Sequence, residues 1–148
     1  MGEVDDFEMI RQRTHASFYK QGLMKSLGAR LGLIEPGEVH IHLPMSTNVT
    51  QHHGYFHAGV STMIGDNAAG YASGTLMRSD QTMLTVELKV NFLSPGIGEE
   101  LEAVGKVVKA GKSLTVCTFK VFANNEGESK LIALGQQTLI LLPRNEYT

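Results

Sequence analysis

The chain has 148 residues, of which 42% are hydrophobic and 19% charged, so it has the composition of an ordinary globular protein and the length of one domain. Its 13 Lys and Arg and 15 Asp and Glu give a formal net charge of −2, and no basic run occurs, which argues against nucleic acid as a partner. No apolar run approaches the length of a membrane span, so no membrane partner is predicted, and the one cysteine, Cys117, leaves no internal disulfide. The N-terminus is acidic where a signal peptide needs positive charge, and we therefore expect a cytoplasmic protein.

The N-terminal segment, residues 1–28, is predicted to be helical. Asp5 or Asp6 can cap a short helix at its start. That helix has two unlike sides, with Phe7, Ile10 and Thr14 on one and Arg11 and Arg13 on the other. Residues 22–28 fit either a second helical turn or a loop. We expect the segment to precede a single domain that spans residues 29–148.

Two short strands follow and form a predicted hairpin. Leu31 and Leu33 alternate with Arg30 and a glycine, and a Glu-Pro-Gly-Glu turn follows. The second strand alternates again and brings three apolar residues to one side, namely Val39, Ile41 and Leu43. This period of two predicts one buried face. His40 and His42 fall on the opposite face, where we expect them to be solvated.

Four more strands are predicted after residue 81. The first, about residues 82–93, has one apolar face made of Leu84, Val86, Leu88, Val90 and Phe92. Three consecutive strands at 100–109, 113–123 and 130–142 are joined by short turns, which predicts an antiparallel meander. The predicted fold class is therefore α+β, with one curved antiparallel β-sheet wrapped around one long central helix.

Residues 51–74 lie between the hairpin and these strands, and the rest of the chain is organised around them. They form a turn that carries His52, His53 and His57, followed by a helix rich in Gly, Ala, Ser and Thr. Each glycine in a helix costs about 1 kcal/mol relative to alanine, so this helix suits a place where backbones approach closely, inside a curled sheet or against a partner. Its one carboxylate, Asp66, is expensive to bury without a partner. It is therefore a candidate functional residue, with a capping or ion-paired role as the alternative.

Two weaker motifs do not predict a ligand-binding site. A Gly-Lys-Ser sequence at 111–113 has the end of a phosphate-binding loop, but Gly105 lies one position too far upstream and a strand follows. His53 and His57 have the i,i+4 spacing of metal ligands, but a glycine follows His53 directly and no cysteine or paired carboxylate stands nearby. We predict neither a metal nor a cofactor.

Two motifs carry a resemblance to a known family, one around the turn and helix and one at the end of the following strand: Gln51-x5-His57-Ala-Gly59-x6-Asp66-Asn-Ala and Asn91-Phe-Leu-Ser-Pro95. They resemble the PaaI-type acyl-CoA thioesterases of the hotdog-fold superfamily, and the resemblance extends over residues 29–142. It implies a hotdog fold and the hydrolysis of a coenzyme A thioester to a free acid and CoA, without a metal or organic cofactor.

The resemblance also implies catalytic roles for four positions. Asp66 matches a helical acid that serves as general base or nucleophile, and Thr85 matches a Ser or Thr that assists this acid or its water. Ala58 matches a glycine whose backbone N–H polarises the thioester carbonyl, and the alanine keeps that N–H. Gln51 matches an Asn or Gln position that helps to place the water or the carbonyl, and many relatives have Asn there.

Substrate contacts are assigned to the turn before the helix, with His57, Gly59, Tyr55 and Phe56 as the substrate-binding residues. Three further residues could line an acyl or aryl pocket or belong to the ordinary core, namely Met63, Tyr71 and Met83. Four lysines could meet the CoA phosphates or be solvated, namely Lys89, Lys106, Lys109 and Lys112.

Ala58 and Asp66 are eight residues apart, which is about 12 Å along a helix. A base or nucleophile must come within about 3 Å of its target, directly or through one water, so one helix cannot bring both groups to one carbonyl. Two antiparallel helices related by a two-fold axis can. We predict a homo-oligomer, either a homodimer or a dimer of dimers (homotetramer), whose active sites are shared between chains and bind acyl-CoA.

Two other functions stay open. A hotdog-fold hydratase or dehydratase would use His57 and Asp66 for proton transfer at carbon. A binding protein would hold acyl-CoA without hydrolysing it. An assay that follows thiol release separately from changes in the acyl double bond distinguishes these possibilities.

Overall fold

The computed structural model describes residues 6–146. The helices and strands, in chain order, are α1 (Phe7–Phe18), α2 (Gly22–Leu27), β1 (Arg30–Glu35), β2 (Glu38–Pro44), α3 (Ala58–Gly74), β3 (Gln81–Phe92), β4 (Glu100–Ala110), β5 (Leu114–Asn125) and β6 (Glu128–Pro143). Short 3-10 turns lie at Thr47–Val49 and Arg144–Glu146. Within residues 6–146, no helix has the length and apolar character needed to cross a membrane.

The six strands form one antiparallel sheet in the order β1-β2-β4-β5-β6-β3. α3 packs against β2, β3, β4, β5 and β6, so the sheet wraps around this one long helix. The core lies between them. The predicted α+β architecture, a curved antiparallel sheet around a central helix, is confirmed.

α1 begins at its N-cap Asp6, whose Oδ1 accepts a hydrogen bond from the Glu8 N–H at 3.4 Å. Asp5, the other predicted cap, lies outside the described residues. Thr14 and Phe18 are the buried residues of this helix. α1 therefore rests on the domain through the side that carries Thr14 and Phe18.

Residues 22–28, for which the sequence left a helix and a loop as alternatives, form α2 and its C-cap. The C-cap Gly28 has a φ of 73°, a left-handed conformation that glycine adopts without steric cost. Met24, in the middle of α2, is fully buried. The short helix therefore contributes to the core.

The hairpin of β1 and β2 forms as predicted, but one residue of β1 departs from the predicted face. Leu31 pairs with Ile41 and Ile34 pairs with Val39, so β1 contains one extra residue, a β-bulge. The bulge turns Leu33 outward, where it is 45% exposed, and buries Ile34 in its place. The predicted burial of Leu33 with Leu31 is wrong because a bulge reverses the alternation of side chains.

His40 and His42 lie on the outer face of β2, but they are not simply solvated as predicted. Their side chains are 19% and 25% exposed and contact carboxylates on both strands of the pair. His40 lies 2.9 Å from Glu38 and 2.8 Å from Glu102, and His42 lies 2.9 Å from Glu100. The hydrogen bond with His40 is the main effect that holds the pKa of Glu38 below its usual value. This polar cluster joins β2 to β4.

The small residues of α3 allow close contact with the sheet. A Cβ atom added to Gly105 on β4 would lie 2.2 Å from the carbonyl carbon of Ala68, and one added to Gly65 on α3 would lie 2.4 Å from the ring of Phe119. Backbone therefore lies directly against backbone where β4 crosses α3. The small residues at Gly65 and Ala68 are thus explained by packing within one chain.

β3 is an edge strand, and a second bulge divides it. Thr85 pairs with Leu139 whereas Glu87 pairs with Thr138, so Val86 is the extra residue. Thr85 faces α3 before the bulge. After the bulge, Val90 faces α3, because it pairs with Gly135. Gly135 also pairs with Phe119, whose ring lies against Gly65 of α3.

The single apolar face predicted for residues 84–92 is therefore wrong. Leu84 points away from α3, and Val90 points toward it. Apolar side chains on both faces of the strand are exposed: Leu84 by 50%, Val86 by 57%, Leu88 by 37% and Phe92 by 53%. Among residues 6–146 no strand pairs with the outer edge of β3, so the backbone groups of that edge lie beside these side chains without a strand partner.

Candidate active site

The first turn of α3 presents backbone N–H groups to solvent. His57 is the N-cap, and its Nδ1 accepts a hydrogen bond from the Gly59 N–H at 2.9 Å. Ala58 and Gly59 are exposed, and among the described residues no acceptor is bonded to the Ala58 N–H. The positive end of the helix dipole lies at the same place. This turn can stabilise an oxygen atom that gains negative charge.

Gln51 is held beside this turn by a tight loop. Its N–H donates to the Tyr55 carbonyl at 2.9 Å, and its carbonyl accepts from the Gly54 N–H at 2.9 Å. Gly54 has a φ of 83°, which the turn requires. The Oε1 atom of Gln51 accepts a hydrogen bond from the His53 N–H. Because Oε1 is bound in this way, the side-chain NH₂ of the half-buried Gln51 is the group that can donate to a ligand.

A groove of about 520 Å³ runs between the loop and the end of β3. It brings together four of the predicted site residues, Gln51, Tyr55, Phe56 and Ala58, with Ser61. The opposite wall is formed by Phe92, Leu93, Ser94, Pro95, Gly96 and Ile132. The two sequence motifs thus form the two sides of one groove. Phe56 is only 4% exposed and belongs mainly to the core.

Asp66 lies two turns further along α3 and is half-buried. Its Oδ1 accepts a hydrogen bond from the Thr85 hydroxyl at 2.9 Å, and its backbone carbonyl accepts one from the Gln137 amide at 3.3 Å. The bulge at Val86 leaves Thr85 facing the helix. The structure therefore brings together Asp66 and Thr85, which are 19 residues apart in sequence.

Asp66 and Thr85 open into a second cavity, of about 440 Å³. Its floor and apolar wall come from Gly70 and Gly74 of α3 and from Met77, Met83, Leu84 and Leu139. Its remaining polar lining is made of Arg13, Thr14, Ser17, Gln21, Asn67, Tyr71, Thr82 and Arg144. Of the three candidate pocket residues, Tyr71 and Met83 reach this cavity.

The wall supplied by the N-terminal segment was missed from the sequence. Arg13 and Ser17 are four residues apart, a spacing that places them on one side of α1, and Gln21 lies at the N-cap of α2. The Arg13 guanidinium donates to the carbonyls of Gly74 at 3.4 Å and Met77 at 3.0 Å. The spacing was a readable signal, but nothing local indicates that this side meets α3.

The two cavities have no lining residue in common. Gln51 and Ala58 line one, and Asp66 and Thr85 line the other. Since eight residues of helix span about 12 Å, these two groups of predicted site residues lie apart within one chain.

The remaining histidines of the turn are exposed and lie close to one another. The rings of His52 and His53 are 4.0 Å apart at their centroids, and that of His53 is 6.3 Å from Tyr55. Between residues 6 and 146, no group of three or more His, Cys, Asp or Glu side chains is arranged to hold a metal ion.

Burial shifts two titratable groups away from their ordinary values. Burial is the main cause that raises the pKa of Tyr71, whose hydroxyl contacts Ser17 at 3.1 Å and accepts from Gln21 at 2.9 Å. Burial also raises the pKa of the Cys117 thiol to about 12. Both groups are therefore protonated at neutral pH, and Cys117 is unsuited to act as a thiolate nucleophile.

A model of the thioesterase superfamily matches residues 53–130, from the histidine turn through α3 and β3 to the start of β6. The crystal structure of a thioesterase family protein from Silicibacter pomeroyi is similar to this chain with a TM-score of 0.88 and 41% identity, over 90% of this chain and 98% of the other.

Two further similarities are more distant. The 1,4-dihydroxy-2-naphthoyl-CoA hydrolase of Listeria monocytogenes is 25% identical over 118 residues, 80% of this chain and 94% of the relative. The PaaI protein from the phenylacetic acid degradation operon of E. coli has a TM-score of 0.79 at 21% identity, over 90% of this chain and 93% of its own. At that identity the second similarity concerns the fold.

Proposed function

This chain belongs to the thioesterase superfamily and is a thioester hydrolase, and from that premise we propose that it hydrolyses an acyl-CoA to a free acid and CoA in sites shared by two copies of the chain. The observation that carries the proposal is the Asp66 carboxylate, held by the Thr85 hydroxyl in the lining of a 440 Å³ cavity. A thioester hydrolase needs a group that activates water or attacks the acyl carbon, and Asp66 is the one acid in that lining.

Asp66 acts on the acyl carbon as base or as nucleophile. As base, its carboxylate removes a proton from a water molecule whose oxygen bonds to the acyl carbon. The carbon–sulfur bond breaks and the CoA thiolate leaves and is protonated. As nucleophile, the carboxylate itself bonds to the acyl carbon, the carbon–sulfur bond breaks and the CoA thiolate leaves and is protonated, and water then hydrolyses the resulting anhydride to the free acid and the Asp66 carboxylate. In both routes the bond from Thr85 fixes one carboxylate oxygen and leaves Oδ2 to react.

Ala58 and Gln51 supply the groups that stabilise the carbonyl oxygen. The oxygen becomes negative when the acyl carbon is attacked, and preorganised donors at that point lower the barrier. The exposed N–H of Ala58 at the helix N-terminus is such a donor. The amide NH₂ of Gln51 is a second, because the bond from the His53 N–H to Oε1 sets its orientation.

A shared site requires that two chains meet along β3. This strand is twelve residues long, no strand within residues 6–146 pairs with its outer edge, and four of its exposed side chains are large and apolar: Leu84, Val86, Leu88 and Phe92. An exposed apolar edge strand pairs readily with another chain. Pairing two copies about a two-fold axis would set the α3 helices antiparallel and bring the Ala58 end of one toward the Asp66 of the other. The half-sites in separate cavities support this arrangement.

The role of Asp66 is tested by thiol release from an acyl-CoA such as hexanoyl-CoA. We expect Asp66→Asn to lower kcat by about 100-fold or more, because the amide can neither accept the proton nor attack. Asp80→Asn is the matched control. Asp80 is exposed and bound to Arg78 in the loop before β3, and its replacement should leave kcat unchanged. Wild-type kcat in Asp66→Asn would overturn the proposed role.

A further inference from the structure

The cavity beside Asp66 has two unlike walls along its length. On the sheet side it is apolar, with Met83 and Leu139. On the side of the N-terminal segment it is polar, with Ser17 and Gln21 among its residues. An acyl group that leads away from a thioester at Asp66 would lie between these walls.

Gly70 leaves room for such a group along α3, whereas a Cβ atom added to Gly74 would lie 3.1 Å from the Met83 side chain. Gly70 and Gly74 follow Asp66 at intervals of four residues and therefore lie on the same side of the helix. A Cβ atom added to Gly70 would meet only Leu139, at 3.9 Å. Tyr71 is five residues beyond Asp66, about 7.5 Å along the axis, which is about the span of an extended six-carbon acyl chain.

Tyr71 is held rigidly on the polar side. Its ring packs edge-on against Phe18, with centroids 5.7 Å apart. Its hydroxyl oxygen accepts from the Gln21 side chain at 2.9 Å and lies 3.1 Å from the Ser17 hydroxyl. The residues that fix it come from a segment 50 and 54 residues away in sequence.

The cluster of Tyr71, Ser17 and Gln21 has one hydroxyl hydrogen that can bond to a ligand. The two hydroxyls of Tyr71 and Ser17 have two hydrogens, and their mutual bond uses one. The Gln21 amide donates its own hydrogen to the Tyr71 oxygen. This bond uses a lone pair of that oxygen and neither of the two hydroxyl hydrogens. Whichever hydroxyl donates within the pair, one O–H remains for another acceptor. Because burial raises the pKa of Tyr71, its own hydrogen stays in place at neutral pH.

We infer that Tyr71, fixed by Ser17 and Gln21, is a specificity-determining residue that selects acyl groups carrying an oxygen acceptor at the end far from the thioester. The inference rests on the proposed acyl-CoA hydrolysis and deepens it. A substrate oxygen here accepts the remaining O–H of the cluster. An acyl group that ends in a methyl covers the half-buried Tyr71 hydroxyl without bonding to it, which weakens the binding of that group.

The experiment compares heptanoyl-CoA with 6-hydroxyhexanoyl-CoA, which differ by a terminal methyl in place of a hydroxyl. In the wild-type protein we expect kcat/KM to be about 10-fold higher for the hydroxy substrate, mainly through a lower KM. In Tyr71→Phe the ring remains and its hydroxyl is lost, so the ratio should fall toward one. In the double variant Tyr71→Phe/Ser17→Ala, which lacks both hydroxyl hydrogens, the ratio should be about one. Ser17→Ala alone should lower the ratio because the Tyr71 hydroxyl loses a partner that fixes it, and this variant provides a second test if Tyr71→Phe does not fold.

Tyr19→Phe is the matched control. The Tyr19 hydroxyl accepts from the Leu31 N–H at 3.4 Å, and Tyr19 is not part of the lining. Its loss should leave the substrate ratio unchanged. Equal kcat/KM for both substrates in the wild type, or a ratio that survives in Tyr71→Phe and Ser17→Ala, would overturn the inference while leaving acyl-CoA hydrolysis intact. No thiol release from either substrate would overturn the proposed function and this inference with it.

Discussion

At the scale of single residues, the site depends on how one carboxylate is held. Around Asp66 on α3, Ile64, Gly65 and Ala68 have no side-chain donor, and the Asn67 amide donates to the Met63 carbonyl, so α3 itself offers the carboxylate few donors. The donor comes from β3, where the Thr85 hydroxyl bonds to Oδ1 at 2.9 Å. A hydrogen bond to an ionised group is worth about 1.5–3 kcal/mol. Thr85 therefore acts through the orientation of Asp66.

We predict that Thr85→Ala lowers kcat by about 10-fold, because the carboxylate loses its fixed orientation while its charge remains. Thr85→Ser keeps the hydroxyl and should restore most of the lost activity. Steady-state kinetics with one acyl-CoA measures both variants. A Thr85→Ala enzyme with unchanged kcat, or a Thr85→Ser enzyme as impaired as the alanine variant, would contradict this role.

At the scale of elements, the fit between α3 and the sheet decides where the site residues lie. Gly105 allows β4 to cross the backbone of Ala68 and Ala69 at distances that no side chain could tolerate. This contact sets the depth of α3 in the sheet, and through it the distance from Asp66 to β3. Packing in the core and geometry in the site are thus linked by a single glycine on a strand.

Gly105→Ala should destabilise the fold by about 1–3 kcal/mol, because its methyl group meets backbone atoms that have no rotamer to move away. Gly22→Ala is the matched control, since nothing lies within 4 Å of a Cβ atom added there. Chemical denaturation measures both free energies of unfolding. Equal stability of Gly105→Ala and wild type would show that β4 does not set the depth of the helix.

The order of elements could be predicted from the sequence, but the bulges could not. Periods of two and runs of small residues are local signals, and they predicted the hairpin, the central helix and the meander. The extra residues in β1 and β3 depend on register with strands that are distant in sequence. For this reason Leu33 was assigned to the wrong face and β3 to a single apolar face. Thr85 faces Asp66 because it precedes the bulge.

At the scale of the whole molecule, the two groups of the candidate site lie in separate cavities of one chain. Helical rise alone predicted the separation of Ala58 from Asp66, since it follows from eight residues of sequence. The wall formed by Ser17 and Gln21 could not be predicted in this way, because its contact with Tyr71 joins residues at least 50 positions apart. Local geometry was readable from the sequence, and contacts between distant segments were not.

The most direct test of the shared site mixes two inactive variants. Asp66→Ala lacks the reactive end and Gln51→Ala lacks a carbonyl donor, so each homodimer should release little thiol from an acyl-CoA. After subunit exchange at equal concentrations, we predict recovery of about one quarter of wild-type activity, because half of the dimers are mixed and one of their two sites is intact. Activity in the mixture no higher than the mean of the two variants would contradict a site shared between chains.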